Sequence, residues 1–501
     1  MILVLNPARL KSSLRSKLKG KKNRISDRKS CFFCPCIKTR QEKCNFCQKV
    51  VKKSVIFLEN SSRKVYNIDM ERIAFEQLQK WKDNPNRKPL ILQGARQVGK
   101  TWLLKEFARR SYKNCAYISC ENSPRMQKLF ADYDTMRIIR GISALTDQTI
   151  VPNETLIVID EIQEIPKALS CLKYFCENQN EYHIAVAGSL LGVALHQGES
   201  FPVGKVNVIS LYPMTFEEFL QAMGKDKLLA ILQNGDWNEI CLLGTELIEY
   251  LRSYYFTGGM PEVVKLFIQT QDIQAVRATQ NRILADYALD ISKHAPKTDI
   301  PKISLVWNSI PSHLAKENKK FVYGALRKGA RAAQYEDAIQ WLVNAGLAYK
   351  VTRVKKAVLP LNFYEESEVF KLFMLDCGLF GALSKTPPDL ILVGSDVFQE
   401  YKGAFTEQFV LQQLKCLDEV YTYYYTNDDS TLEVDFVLQC GSHIIPIEVK
   451  AEENLQSKSL KNFLLKNTHL HGVRFSMSDY REQETITNVP LYGIKRYIME
   501  Q

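Results

Sequence analysis

No apolar run in this 501-residue chain approaches the roughly 18 residues that a membrane-spanning helix needs. The opening Met1-Ile-Leu-Val-Leu5 is too short for the apolar core of a secretory signal. A soluble, cytoplasmic protein without membrane contact is expected. Net charge is missing from most of the chain as well. Of its 67 Lys and Arg, 18 lie in residues 1–69 with only 4 of its 55 Asp and Glu, which leaves 49 basic against 51 acidic residues in the rest. Composition therefore gives no argument for a general polyanion-binding surface, and any nucleic-acid contact has to be local. A disulfide framework is absent too. Of the 13 cysteines, Cys31, Cys34, Cys36, Cys44 and Cys47 sit in one basic segment, and the others are scattered among apolar neighbours, as reduced thiols are. No internal repeat is found.

The length predicts roughly three domains, and 46% hydrophobic with 24% charged residues is ordinary globular composition. Residues 1–69 have little apolar periodicity and read as a basic, disordered extension or as residues upstream of the true start, since helical patterning begins after Met70. Cys31-x-x-Cys34 and Cys44-x-x-Cys47 are paired as zinc ligands can be, but the 9 residues between the pairs are tight for a zinc ribbon, so no zinc is expected there. From Met70 short apolar strands at Pro89–Gln93, Ala116–Ser119, Leu156–Ile159, Ile184–Ala187 and Val206–Leu211 alternate with helical segments. That alternation predicts a parallel sheet covered on both faces.

Gly94-Ala-Arg-Gln-Val-Gly-Lys-Thr101 matches G-x-x-x-x-G-K-T and stands between a strand and a helix, the setting a phosphate loop requires. Main-chain N–H groups of Gly94, Ala95, Arg96, Gln97, Val98, Gly99, Lys100, Thr101 and Trp102 would cradle the phosphates of ATP at the positive end of the following helix. Lys100 would reach the β- and γ-phosphates, and Thr101 would hold Mg2+. Leu156-Ile-Val-Ile-Asp160-Glu161 supplies an apolar strand with two carboxylates at its C-terminal end, where parallel sheets bind ligands. Asp160, from a strand expected beside that of the phosphate loop, would contact Mg2+, and Glu161 would orient and polarise the attacking water. Ser189, ending the next apolar strand, stands where a polar γ-phosphate sensor or a simple strand cap would be. An arginine finger cannot be assigned from sequence, because a neighbouring subunit or a distant loop supplies it.

From Met70 to the C-terminus the chain resembles a large family of poorly characterised prokaryotic AAA-type ATPases with a C-terminal domain of unknown function. The resemblance is carried by Leu92-Gln-Gly-Ala-Arg-Gln-Val-Gly-Lys-Thr-Trp102, Asp160-Glu-Ile-Gln163, Phe201-Pro-Val-Gly204, Tyr212-Pro-Met-Thr-Phe-Glu-Glu-Phe-Leu220 and Gly258-Gly-Met-Pro-Glu-Val263. The expected α/β architecture is a parallel-sheet P-loop NTPase core over residues 70–225, a helical lid over 226–295, a winged-helix-like module over 296–362 and a C-terminal α/β domain over 363–501.

In that last domain Glu433 and Asp435 share one face of a strand, and Glu448 and Lys450 share one face of the next. The pair resembles the restriction-endonuclease-like superfamily of PD-(D/E)XK type, with Glu407 matching its helix-borne acid and Lys458 or a neighbour its later basic position. The resemblance implies a second Mg2+ or Mn2+ site at Glu407, Asp435 and Glu448, with Lys450 helping to activate water. A retained scaffold that binds without cutting is the alternative. Lys316, Lys319, Lys320, Arg327, Lys328, Arg331, Arg353, Lys355 and Lys356 are candidate DNA-phosphate contacts or simply solvated faces. Two functions stand: an ATPase acting on nucleic acid, with or without a nuclease-like domain, and an ATP-dependent regulatory switch built on a non-cleaving scaffold. An oligomer is compatible with either.

Overall fold

The computed structural model describes residues 70–189, 202–316, 319–393, 399–429, 431–451 and 457–501. The basic extension, with Cys31, Cys34, Cys44 and Cys47, lies outside the described residues, as does Phe201. The eight cysteines that are described are all free thiols.

The first sheet is parallel and contains β1 (Leu90–Gln93), β2 (Asn114–Ser119), β3 (Thr155–Asp160), β4 (His183–Gly188) and β5 (Asn207–Ser210). Their order is β2-β3-β4-β1-β5. β3 and β4 are buried along their whole length, as continuous apolar strands covered on both faces must be. Alternate side chains enter two separate cores. Leu90 and Leu92 of β1 and Leu156 and Val158 of β3 pack with Leu103, Leu104 and Phe107 of the helix Lys100–Ser111. Ile91, Ile157 and Ile159 pack on the opposite face with Ile138 and Ile142 of Thr135–Thr146 and Leu172 of Pro166–Asn178. In register Gln93 stands beside Gly188 and Ser210, and Ser119 beside Asp160, so the strands end along one edge. One expectation is corrected. β3 is not the neighbour of β1, because β4 and β5 occupy both edges of β1 and β4 separates it from Asp160.

Residues 216–294 form a succession of helices, one of whose breaks is at Gly258-Gly259-Met260 before the helix Pro261–Thr270. The interruption is sterically determined. Gly258 has φ +71°, and a Cβ there would overlap the Asp376 carboxylate, while a Cβ on Gly259 would overlap the backbone of Met214. Asp376, fully buried, accepts from Gly259 N at 2.6 Å, Leu379 N at 2.9 Å and Gln412 Nε2 at 3.2 Å.

The second sheet is mixed and eight-stranded: β6 (Ala348–Val354), β7 (Glu365–Met374), β8 (Val420–Thr426), β9 (Glu433–Cys440), β10 (His443–Val449), β11 (Gly472–Ser476), β12 (Arg481–Glu482) and β13 (Ile486–Pro490). The helix Glu336–Asn344 and β6 fall in the region expected to be a winged module, and β6 pairs antiparallel with β7, which lies beyond that region. The hairpin also joins the C-terminal sheet, with Arg353 and Val354 of β6 paired in parallel to Tyr424 and Tyr425 of β8. A boundary at residue 362 therefore falls within one sheet.

Gly259→Ala should cost at least about 2 kcal/mol, since its Cβ meets backbone rather than a movable side chain. Gly324→Ala, with nothing within 4 Å of the added Cβ, should be close to neutral. Urea unfolding of the two variants checks the contrast; equal midpoints would remove the steric account of this loop.

Candidate functional site

The phosphate loop is shaped by its glycines. A Cβ on Gly94 would overlap Leu211 O, which lets the loop turn directly against the strand edge. Gly99, at φ +96°, starts the helix Lys100–Ser111 without a side-chain cap, so first-turn N–H groups face the loop. Lys100, only 7% exposed, donates to Gly94 O at 3.0 Å and Ala95 O at 2.8 Å. Thr101 Oγ1 donates to Asp160 Oδ2 at 2.7 Å, and Tyr117 OH donates to the same oxygen at 3.0 Å. Glu161 is in the left-handed region at φ +49°, and its Oε2 accepts from Gln163 Nε2 at 2.6 Å and Ser189 Oγ at 3.3 Å. Lys100, Thr101, Asp160, Glu161 and Ser189 are thus brought to the same sheet edge. This cradle fits a phosphate chain, and Thr101 with Asp160 is the pair that would hold Mg2+.

The remaining loop residues face a helix that sequence reasoning had not connected to them. Arg96 pairs with Asp290, Gln97 Nε2 donates to Asp286 Oδ2 at 2.8 Å, and Tyr287 OH donates to Arg96 O at 2.9 Å, all on the helix Ile273–His294. Val98 is buried and Trp102 is 43% exposed. Arg72 was also missed. Its guanidinium meets Glu218 Oε1 at 3.0 Å, Val98 O at 2.8 Å and Tyr212 O at 2.6 Å. The one local signal was the capping box Thr215-Phe-Glu-Glu218, which predicts the position of Glu218 but not its distant partner.

The C-terminal acids are arranged differently from the metal-site expectation. Glu407, 2% exposed on the helix Gln399–Lys415, pairs with Lys319 and lies 3.6 Å from Lys371 Nζ. Lys371 is fully buried on β7 and pairs with Glu433 at 2.5 Å. Burial opposes its charge, but Glu407, Glu433 and Asp435 more than offset that and hold its pKa above the ordinary lysine range. Asp435 Oδ2 accepts from Val449 N at 2.8 Å, and Glu448 pairs with Lys450 at 2.5 Å while accepting from Leu460 N at 3.3 Å. Among the described residues no group of three or more His, Cys, Asp and Glu is placed to hold a metal ion. Lys319 engages Glu407 Oε1, Val449 N engages Asp435 Oδ2, and Lys450 and Leu460 N engage the two oxygens of Glu448, so separate cationic and main-chain donors hold the three carboxylates and they are not gathered for one divalent cation.

Of the candidate DNA contacts, Lys319 is taken by Glu407, and Arg353 and Lys355 both pair with Glu366. Lys316, Arg327, Lys328, Arg331 and Lys356 are exposed. Among the described residues no helix is long and apolar enough to cross a membrane.

Three family models match the chain: an AAA domain over residues 86–220, a domain of unknown function (DUF8612) over 248–390 and a domain of unknown function (DUF4143) over 402–494. It carries an AAA-type P-loop ATPase domain. The second sheet draws β6 and β7 from the second match and β8 to β13 from the third. No curated protein matches the chain. Among solved structures, a Walker-type ATPase of Pyrococcus abyssi is similar at 14% identity and TM-score 0.42, covering 65% of this chain and 99% of that one. The ORC1 protein of Aeropyrum pernix, solved in complex with DNA, is similar at 14% identity and TM-score 0.25, covering 62% and 90%. The RuvB Holliday junction branch migration motor of Thermotoga maritima is similar at 15% identity and TM-score 0.24, covering 61% and 89%. Likenesses this distant carry no functional argument.

Burial pushes the Lys100 ammonium down to about 8, with Glu161 and Asp160 opposing the fall and Arg96 adding to it. Phosphate favours the charged form, so ATP binding should take up a proton above that pH and weaken as pH rises further. From pH 7.5 to 9.5 the affinity should fall by roughly tenfold, one pKa unit being a factor of ten. Lys100→Arg, which stays charged, should flatten the curve. Titration with a fluorescent ATP analogue checks this, and an affinity constant across that range would rule out a depressed Lys100.

Proposed function

We propose that the protein is a Mg2+-dependent ATPase whose nucleotide cycle alters how its C-terminal part engages a nucleic acid, the second sheet serving as a non-cleaving scaffold. The observation that carries the ATPase reading is the Thr101–Asp160 contact beside Glu161 and Ser189. Lys100 would bind and neutralise the terminal phosphates, and Thr101 and Asp160 would hold the cation. Bound Mg2+ would supply charge neutralisation on the phosphate oxygens. Glu161, oriented by Ser189 and Gln163, positions the attacking water and accepts its proton. Lys100→Ala should abolish hydrolysis. Glu161→Gln should retain ATP binding while slowing turnover by at least about 10²-fold, the usual contribution of a general base. Undiminished turnover in Lys100→Ala would end the ATPase reading.

Support for a nucleic-acid partner comes from the exposed Lys316, Arg327, Lys328, Arg331 and Lys356. The ATPase rate should rise with DNA and lose that rise steeply with salt; a flat response would favour a switch acting on a protein partner. Scaffold is preferred to nuclease because Lys319 and Lys371 neutralise Glu407 and Glu433 inside the fold. Mn2+ titrated calorimetrically into the Asp435→Ala variant should give the same heat as into the unaltered protein. Mg2+-dependent DNA cleavage that Asp435→Ala removes would instead assign Lys450, Glu407, Asp435 and Glu448 to a nuclease.

A further inference from the structure

A cavity of about 400 Å³ opens beside the phosphate loop, between the ends of β1, β4 and β5 on one side and the turn after the helix Glu336–Asn344 on the other. Gly94, Ala95, Ser189 and Ser210 line its first wall, and Lys350 of β6 and Lys415, the last residue of the helix Gln399–Lys415, belong to the far one. Its position relative to the chemistry follows from two contacts. The carbonyls of Gly94 and Ala95 hold the Lys100 ammonium, the group that takes the terminal phosphates, and Ser189 Oγ rests on Glu161. The cavity thus adjoins the candidate site through Gly94, Ala95 and Ser189, while Lys100, Thr101, Asp160 and Glu161 lie outside its lining. Among the described residues that line it, two are lysines and none carries a carboxylate. Lys350 has its ammonium 4.6 Å from the Phe370 ring centre, outside the cavity lining, and Glu336 and Glu365 partly offset its burial, whereas burial lowers the pKa of Lys415 with no neighbouring charge offsetting that cost. An uncompensated, half-buried ammonium at the wall of a polar cavity is stabilised by an anion.

We propose that this cavity is a receiving site for inorganic phosphate, held chiefly by Lys415 with help from Lys350, and that it takes the phosphate freed by ATP hydrolysis before release. The proposal rests on the ATPase reading for the origin of the anion, but the site itself binds phosphate without turnover. That separation decides the experiment. Inorganic phosphate is titrated by calorimetry into the full chain loaded with Mg-ADP, then into the Lys415→Met, Lys350→Met and Lys415→Arg variants. Lys415→Met should weaken phosphate by at least about tenfold, the loss expected for one charge-assisted hydrogen bond. Lys415→Arg should restore most of the affinity, and Lys350→Met should cause a smaller loss. In steady state, product inhibition by phosphate should weaken in the same order as direct binding. Equal phosphate affinity in the unaltered protein and Lys415→Met overturns the proposal, as does an unaltered protein that hydrolyses ATP but binds no phosphate when loaded with Mg-ADP. A protein that hydrolyses no ATP but binds phosphate through Lys415 sinks the ATPase reading and leaves the anion site standing.

Discussion

Arg72 holds the phosphate loop to the rest of the domain. Its guanidinium, in a residue only 6% exposed, is shared between the Glu218 carboxylate and the carbonyls of Val98 and Tyr212. Glu218 in turn accepts from Ile73 N and Thr215 N, each at 2.7 Å, so one buried pair ties the loop, the segment after β5 and the entry to the helix Phe216–Ala222. A buried pair is costly to assemble, but losing one partner strands the other charge, a penalty of about 3–5 kcal/mol. The loop is therefore held from behind by a device that makes no demand on the nucleotide, leaving Gly94 to Thr101 free to present N–H groups forward.

The same electrostatic constraint has opposite outcomes at the two carboxylate clusters. Near the phosphate loop, Asp160 and Glu161 receive hydroxyl and amide donors from Thr101, Tyr117, Ser189 and Gln163, groups that a metal ion or water can replace without leaving a stranded charge. In the C-terminal sheet, Glu407 and Glu433 receive the ammonium of Lys371, which has no exposed surface. Moving that lysine aside to admit a cation would strand its own charge where it has no access to water. Similar acids in the sequence thus have different capacities because of what was folded against them.

What was legible in the sequence follows this division. The strand before Gly94, the helix after Lys100 and the carboxylates ending β3 are short-range patterns, each determined within about ten residues, and they were readable. The place of β4 between β1 and β3 was not, because strand order depends on which edges long crossovers reach. Nor was the joining of β6 to β8, where residues some seventy positions apart pair across only two registers. Lys371 and Asp376 illustrate the limit most directly. Each is an ordinary polar residue in its local pattern, and only packing reveals that one neutralises an acid cluster and the other supports Gly258-Gly259.

Coupling between the nucleotide and the C-terminal part needs a physical connection, and the connections are close ones. Gly346, at φ +70°, brings the turn before β6 so near the loop that an added Cβ would stand 3.2 Å from Ala95 N. β6 begins two residues later and is a strand of the second sheet. On the loop's other side Arg96 and Gln97 are bound to Asp290 and Asp286 of one helix. Any displacement of residues 95–97 by a bound phosphate must therefore press on β6 or break a polar contact with that helix. Packed interiors answer such pressure by shifting between discrete arrangements rather than by gradual compression. On the proposed ATPase reading, the contacts on either side of the loop make the sheet and the helix the two elements that would respond first to a bound nucleotide.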